Sequence, residues 1–191
     1  MTGNLLQRGL LLEYATLAWN VVGTIVVLYA AFGAGSVALA GFGLDSLIEI
    51  FASVVVIWQL KGADKSYEQK ALRMIGVAFL LLALYVLLQS SWSLAFGHPA
   101  SESPLGMLWL FATLIVMLLL AWGKAITGQQ LSNVVLSTEA RVTLIDAALA
   151  GAVLVGIGLN ALVGWWWADP LAGLVIVYYG LKEGRAALKH K

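Results

Sequence analysis

Along this chain apolar residues run in long blocks, and polar residues gather in the short gaps between them. A bilayer core needs about 20 apolar residues per helix, and barrel strands would be about half that length. On that measure the chain holds six spans, at 10–32, 36–60, 71–95, 105–123, 134–163 and 170–188. The pattern predicts an all-α membrane protein, a single transmembrane domain over 1–191 with no separate soluble domain. The second and fifth spans exceed the required length, which permits tilt or an end projecting into water. The first block begins near Leu10 and continues without a small-residue cleavage site, so it reads as a retained helix and not a signal peptide.

The gaps alternate in charge. Lys61, Lys65, Lys70 and Arg73 flank the second-to-third connection, and Lys124 begins the fourth-to-fifth. Arg8 precedes the first span, while Lys182, Arg185, Lys189 and Lys191 mark the end of the sixth. The gaps around Gly33, from His98 to Pro104, and from Gly164 to Asp169 carry no Lys or Arg. By the positive-inside rule both termini and the two basic connections are cytoplasmic. Asp169 followed by Pro170 reads as an N-cap with proline at the first helical position. The tryptophans read as interface anchors, most clearly Trp165, Trp166 and Trp167 at the outer boundary. Small residues at Gly33, Gly35, Ala38, Ala40, Gly41 and Gly43, and at Gly151, Gly156 and Gly158, would let helices approach closely.

Composition narrows the class. Hydrophobic residues make up 61% of the chain and charged residues 11%, with a mean hydropathy of +0.92, so it is an integral membrane protein. Basic residues sit in membrane flanks and form no patch for nucleic acid. Cysteine is absent, which removes disulfides and thiolate ligands. No nucleotide-binding loop and no activated Ser arrangement is visible, so the chain reads as a non-enzyme without a cofactor. The lack of a targeting segment suits the plasma or inner membrane of a bacterium.

Against this apolar background three carboxylates stand out. Asp45 and Glu49 lie in the second span and Asp146 in the fifth. Each charge at membrane depth costs about 2.5–3.5 kcal/mol on insertion scales, so such residues are functional by default. Positions four apart are about 40° apart around a helix, so Asp45 and Glu49 share a face. At about 1.5 Å per residue, Asp45 lies about 14 Å and Glu49 about 20 Å from the outer end of their span. Asp146 lies about 18 Å from the cytoplasmic start of the fifth, and all three fall near the midplane. If these spans are neighbours, Asp45 faces Asp146, and Glu49 faces the turn with Val142 and Thr143. Glu139 is about 20° from Asp146 but about 10 Å nearer the cytoplasm, where it binds the ion or lines its approach. Arg141 points about 140° away from Asp146.

Clustered carboxylates repel one another, hold protons, and release them when a cation arrives, which is what a metal/proton exchanger requires. Oxygen-only ligands suit manganese or magnesium, and zinc and ferrous iron also accept carboxylates. Glu13 reads as a snorkelling interfacial residue, and Asn20 as a helix–helix hydrogen bond. His98, beside Pro99, and His190 in the tail read as solvated.

Taken together, GFGLDSLIE in the second span, the acidic residue and Asp146 in the fifth, and ADPLAGLVIVYYGL opening the sixth resemble the transmembrane domain of the cation diffusion facilitator family. The resemblance implies a metal/proton antiporter that exports metal from the cytoplasm, typically as a homodimer. It places Asp45, Glu49 and Asp146 on three of the family's four transport ligands, with Glu139 at a further acidic position. The chain departs from the family at Val142, which stands at the fourth ligand position and cannot bind metal. It also ends at Lys191, so the family's soluble cytoplasmic domain is not expected, and any dimer would rest on transmembrane helices. In that respect it resembles a short, tail-less branch of the family. Two rivals stay open: a cation channel, whose flux would ignore a proton gradient, and a membrane scaffold or metal-binding subunit without turnover.

Overall fold

Backbone groups in hydrocarbon have no water to bond, so apolar blocks of this length become helices, each satisfying its own N–H and C=O groups. The computed structural model describes residues 2–61, 65–97 and 100–189 and has six helices among them: α1 (Thr2–Ala34), α2 (Val37–Leu60), α3 (Lys65–Phe96), α4 (Pro104–Gln130), α5 (Val134–Val163) and α6 (Ala168–Lys189). His98, Pro99, His190 and Lys191, read above as solvated loop and tail, lie outside the described residues.

Each expected span corresponds to one helix, but on the side of the bundle that carries both termini the helices run further than hydropathy alone indicates. α1 begins eight residues before position 10, α3 six before 71, and α4 continues seven beyond 123. Helical hydrogen bonding does not stop where apolar sequence stops, and these extensions include polar side chains. Lys124 is therefore an interior residue of α4 and not the start of a connection.

Among the described residues five helices are long and apolar enough to cross a membrane; α6 is not one of them. Its apolar stretch is interrupted by Lys182, Glu183 and Arg185. What secures α6 is its neighbour α3, against which it packs most extensively. A Cβ on Gly184 would lie 2.9 Å from the Gly76 carbonyl oxygen, one on Gly76 3.0 Å from the Gly184 carbonyl, and one on Gly180 3.1 Å from that of Phe79. The two backbones thus touch where glycine alone fits. α1 pairs likewise with α2, and α4 with α5.

The bundle is inverted relative to a water-soluble protein. Phe32, Leu162 and Tyr29 are 88%, 84% and 74% exposed, whereas Glu13, Asn20, Asp45, Glu49, Lys124 and Asp146 are all buried. That distribution fits lipid outside and polar chemistry inside. Not every tryptophan is a boundary anchor: Trp19 and Trp109 stack at 4.8 Å between α1 and α4, with Trp19 donating to Thr113 Oγ1 at 3.1 Å.

Caps fix the ends. Ser103 accepts from Gly106 N at 3.2 Å ahead of Pro104, Asn133 accepts from Leu136 N at 3.0 Å, and α5 closes on Gly164 at φ 71°. Asp169 departs from its expected role as the N-cap of α6. It lies in the first turn of that helix, and its carboxylate reaches across to α2, accepting from Ser36 Oγ and, at 3.1 Å, from Val37 N. The side chain thereby satisfies an orphan donor of one helix from the start of another.

The glycine crossing generates a test. Gly184→Leu forces α6 away from α3 and should lower stability by about 1–3 kcal/mol, read as earlier thermal unfolding in detergent. Gly33→Ala, where an added Cβ meets nothing within 4 Å, should leave the transition in place. Equal behaviour of the two variants would contradict the close crossing.

Candidate functional site

Four helices contribute to one small internal cavity. α2 supplies Asp45 and Glu49, and α5 supplies Val142 and Asp146. α3 closes one side with Phe79, while α6 brings Tyr179 and Glu183. The space available to the centre of a water-sized sphere is about 10 Å³, which is about one water.

The helical arithmetic that put Asp45 and Glu49 on one face, with Asp146 opposite, agrees with this arrangement. The three are 4%, 2% and 1% exposed. Both carboxylate oxygens of Asp146 and Oε2 of Glu49 are buried without a hydrogen-bond partner among the described residues. Buried polar groups in native structures are nearly always bonded, so three orphaned oxygens on one cavity call for an explanation. In this conformation no three His, Cys, Asp or Glu side chains among the described residues form a ready-made metal site. The carboxylates share a cavity without converging on a common centre. Val142 faces that cavity from one turn before Asp146, so the wall at that point is apolar.

A second polar cluster lies among α1, α4 and α5. Lys124 is fully buried, and its Nζ stands 3.2 Å from both carboxylate oxygens of Glu13, 3.5 Å from Glu139 Oε1 and 3.0 Å from Thr143 Oγ1. Glu13 is therefore no snorkelling residue. It is 0% exposed and supplies the counter-charge for a lysine that hydropathy places in water. Glu139, the fourth candidate ligand, is 5% exposed and has its carboxylate beside this ammonium. Thr143 belongs to the same cluster, one position from Val142 and three before Asp146, so the two clusters are joined through a single turn of α5. Asn20 is buried, and its Nδ2 has no hydrogen-bond partner among the described residues. A signal for the Lys124 cluster is present in the sequence. Seven residues, Ala125 to Leu131, separate Lys124 from the turn signals Ser132 and Asn133, and Glu13 lies within an apolar block.

Comparison with known proteins bears on the family of the chain. The cation efflux transmembrane domain family matches residues 14–190. The magnetosome protein MamB of Magnetospira sp. (strain QH-2) is 26% identical over 163 residues, covering 78% of this chain and 55% of its own length. A cadmium, cobalt and zinc/H(+)-K(+) antiporter of Bacillus subtilis is 30% identical over 122 residues, covering 63% and 38% respectively. The cation-efflux pump FieF of Citrobacter koseri is 26% identical over 199 residues, covering 95% and 66%. The chain thus spans about half the length of the curated relatives it matches.

The lysine cluster yields a prediction of its own. Lys124→Met leaves two buried carboxylates without their cation and should cost about 3–5 kcal/mol, measured by unfolding in detergent. Adding Glu13→Gln and Glu139→Gln to that variant should restore most of the loss. Wild-type stability in Lys124→Met alone would show that the ammonium is not the counter-charge.

Proposed function

The chain belongs to the cation efflux transmembrane domain family, and from that premise we propose that it moves a divalent metal cation out of the cytoplasm in exchange for protons, holding the ion between Asp45, Glu49 and Asp146. It is a multi-pass membrane protein, consistent with the plasma or inner membrane, and a member of this family is a carrier and not an enzyme. The observation that carries the reading is the set of orphaned buried oxygens on Glu49 and Asp146 around a space the size of one ion. A divalent cation would satisfy those oxygens and offset the mutual repulsion of the carboxylates. When it leaves, protons take its place, because three close negative charges in a low dielectric are too costly to leave bare. Glu139 stands on Lys124 in this conformation, so the ion is assigned to the other three carboxylates. A cavity this small favours alternating access over an open channel. A homodimer formed through the transmembrane helices completes the proposal.

The cargo follows from the ligands. Relatives named for cadmium, cobalt and zinc transport indicate divalent transition metals as a class. With carboxylate oxygens and an apolar Val142, the site suits an ion that accepts an all-oxygen shell, with manganese as the leading candidate. Backbone carbonyls or water would complete the coordination.

The decisive experiment is flux of manganese and zinc into proteoliposomes with and without an imposed pH gradient. The gradient should accelerate flux, and Asp45→Asn or Asp146→Asn should reduce it by about tenfold or more while the protein remains folded. Flux indifferent to the gradient would favour a channel, and binding without flux a scaffold. Val142→His tests the register of α5 separately. Imidazole favours zinc, so the ratio of zinc to manganese initial rates should rise. An unchanged ratio in a folded, active variant would place residue 142 away from the ion.

A further inference from the structure

The internal cavity has two possible approaches from the cytoplasmic side, and the structure treats them differently. One runs past Glu13 and Glu139, among α1, α4 and α5. That approach contains Lys124, fully buried, with its ammonium 3.2 Å from Glu13 and 3.5 Å from Glu139. A cation arriving there meets a fixed positive charge and carboxylates already committed to it. The other approach lies beside α6, where Glu183 lines the cavity together with Asp45, Glu49 and Asp146. Glu183 alone among these four is partly exposed; the other three are buried.

Depth separates them further. Glu183 lies 15 residues into α6, and Asp45 and Glu49 lie 8 and 12 residues into α2, a helix of the same direction. At about 1.5 Å per residue Glu183 stands about one turn nearer the cytoplasm than Glu49. Around it the wall is shaped by Gly180 and Gly184, where α6 touches the backbone of α3. The neighbouring Lys182 holds its ammonium 5.7 Å from the centroid of the Tyr179 ring. Inward from Glu183 the cavity leads to the orphaned oxygens of Glu49 and Asp146, so its acidic lining is more than a solvated surface cluster.

We infer that Glu183 is the capture residue of the cytoplasmic approach: it receives the divalent cation beside α6 and passes it to Asp45, Glu49 and Asp146, while Lys124 closes the path along Glu13 and Glu139. This rests on the proposed transport reading and adds a route to it. A carboxylate at the mouth raises the local concentration of cations without holding the ion at the centre. It therefore acts on the apparent affinity and leaves the turnover of a loaded carrier alone.

The test measures manganese(II) in two ways, as initial flux into proteoliposomes and as equilibrium binding to the detergent-solubilised chain. Glu183→Gln should raise KM for manganese about threefold or more with kcat nearly constant, and Glu183→Lys should raise it further. Glu102→Gln, an exposed carboxylate on the outer connection, should change neither quantity. Folding of each variant is verified by its thermal transition. A folded Glu183→Gln protein with wild-type KM and wild-type manganese affinity overturns the inference. So does a larger KM rise in Glu139→Gln than in Glu183→Gln, which would put the path on the Lys124 side. Asp45→Asn separates the two levels of argument. Loss of manganese binding in Asp45→Asn with none of the Glu183 effects condemns the route alone, whereas wild-type binding and flux in Asp45→Asn condemn the site.

Discussion

Hydrocarbon offers no partner to a charge, and a lysine and five carboxylates of the described spans are turned inward in consequence, while Arg141 of α5 is exposed. Lipid-facing surface is left to residues such as Phe32, Tyr29 and Leu162. The interior has to accommodate Glu13, Asp45, Glu49, Lys124, Glu139 and Asp146 within a few turns of one another. That concentration of charge governs which helices must be neighbours. α1, α4 and α5 are tied by Lys124, and α2 and α5 are brought together by a shared cavity. The outer end is held by Asp169, whose carboxylate joins α6 to the first turn of α2.

The two inward clusters meet the same constraint in opposite ways. Around Lys124 the charges are partly compensated: one ammonium faces two carboxylates and the Thr143 hydroxyl. Such an arrangement costs desolvation but, once formed, is lost only by breaking the pairing. Around Asp146 no hydrogen-bond donor among the described residues stands in for a cation, and the nearest positive charge, Lys124, is engaged by Glu13 and Glu139. Its two oxygens and one of Glu49 are left without donors among the described residues, and the missing positive charge has to come from outside as a proton or a metal ion. The first cluster therefore acts as a joint between helices, and the second is the one the proposed function assigns to the ion. Both draw on the same turn of α5, since Thr143 belongs to one and Val142 with Asp146 to the other. A movement of that turn on ion binding would be felt at the joint.

How far these features are legible in sequence depends on the kind of physics involved. Helix number and the facing of Asp45, Glu49, Asp146 and Val142 follow from block length and the angle per residue, which are local and nearly invariant. Lys124 escapes because hydropathy assigns a lysine at the end of an apolar block to water, and its burial is decided by Glu13, 111 residues away. Glu13 escapes for the converse reason. Asp169 reads correctly as a capping residue, but which helix it caps is a tertiary fact. Glu183 is hidden among the basic residues at the end of α6, and only the packing of α6 on α3 brings it to the cavity.

The weak sixth helix acquires its meaning from that packing. A segment carrying Lys182, Glu183 and Arg185 is too polar to be a comfortable span by itself, and glycine contacts with α3 are what secure it. If α6 were as apolar as α4, it would span readily but present no polar side chain to the site. The chain instead has a helix whose outer part is apolar and capped to α2 and whose inner part is charged and held at close range to α3. Backbone contact through Gly76, Gly180 and Gly184 is what allows a carboxylate on such a helix to stand beside the buried ones. The small residues of α3 and α6 therefore bear on the cavity as much as on the packing, because a Cβ added at Gly180 or Gly184 meets the α3 backbone beside the turn that carries Glu183.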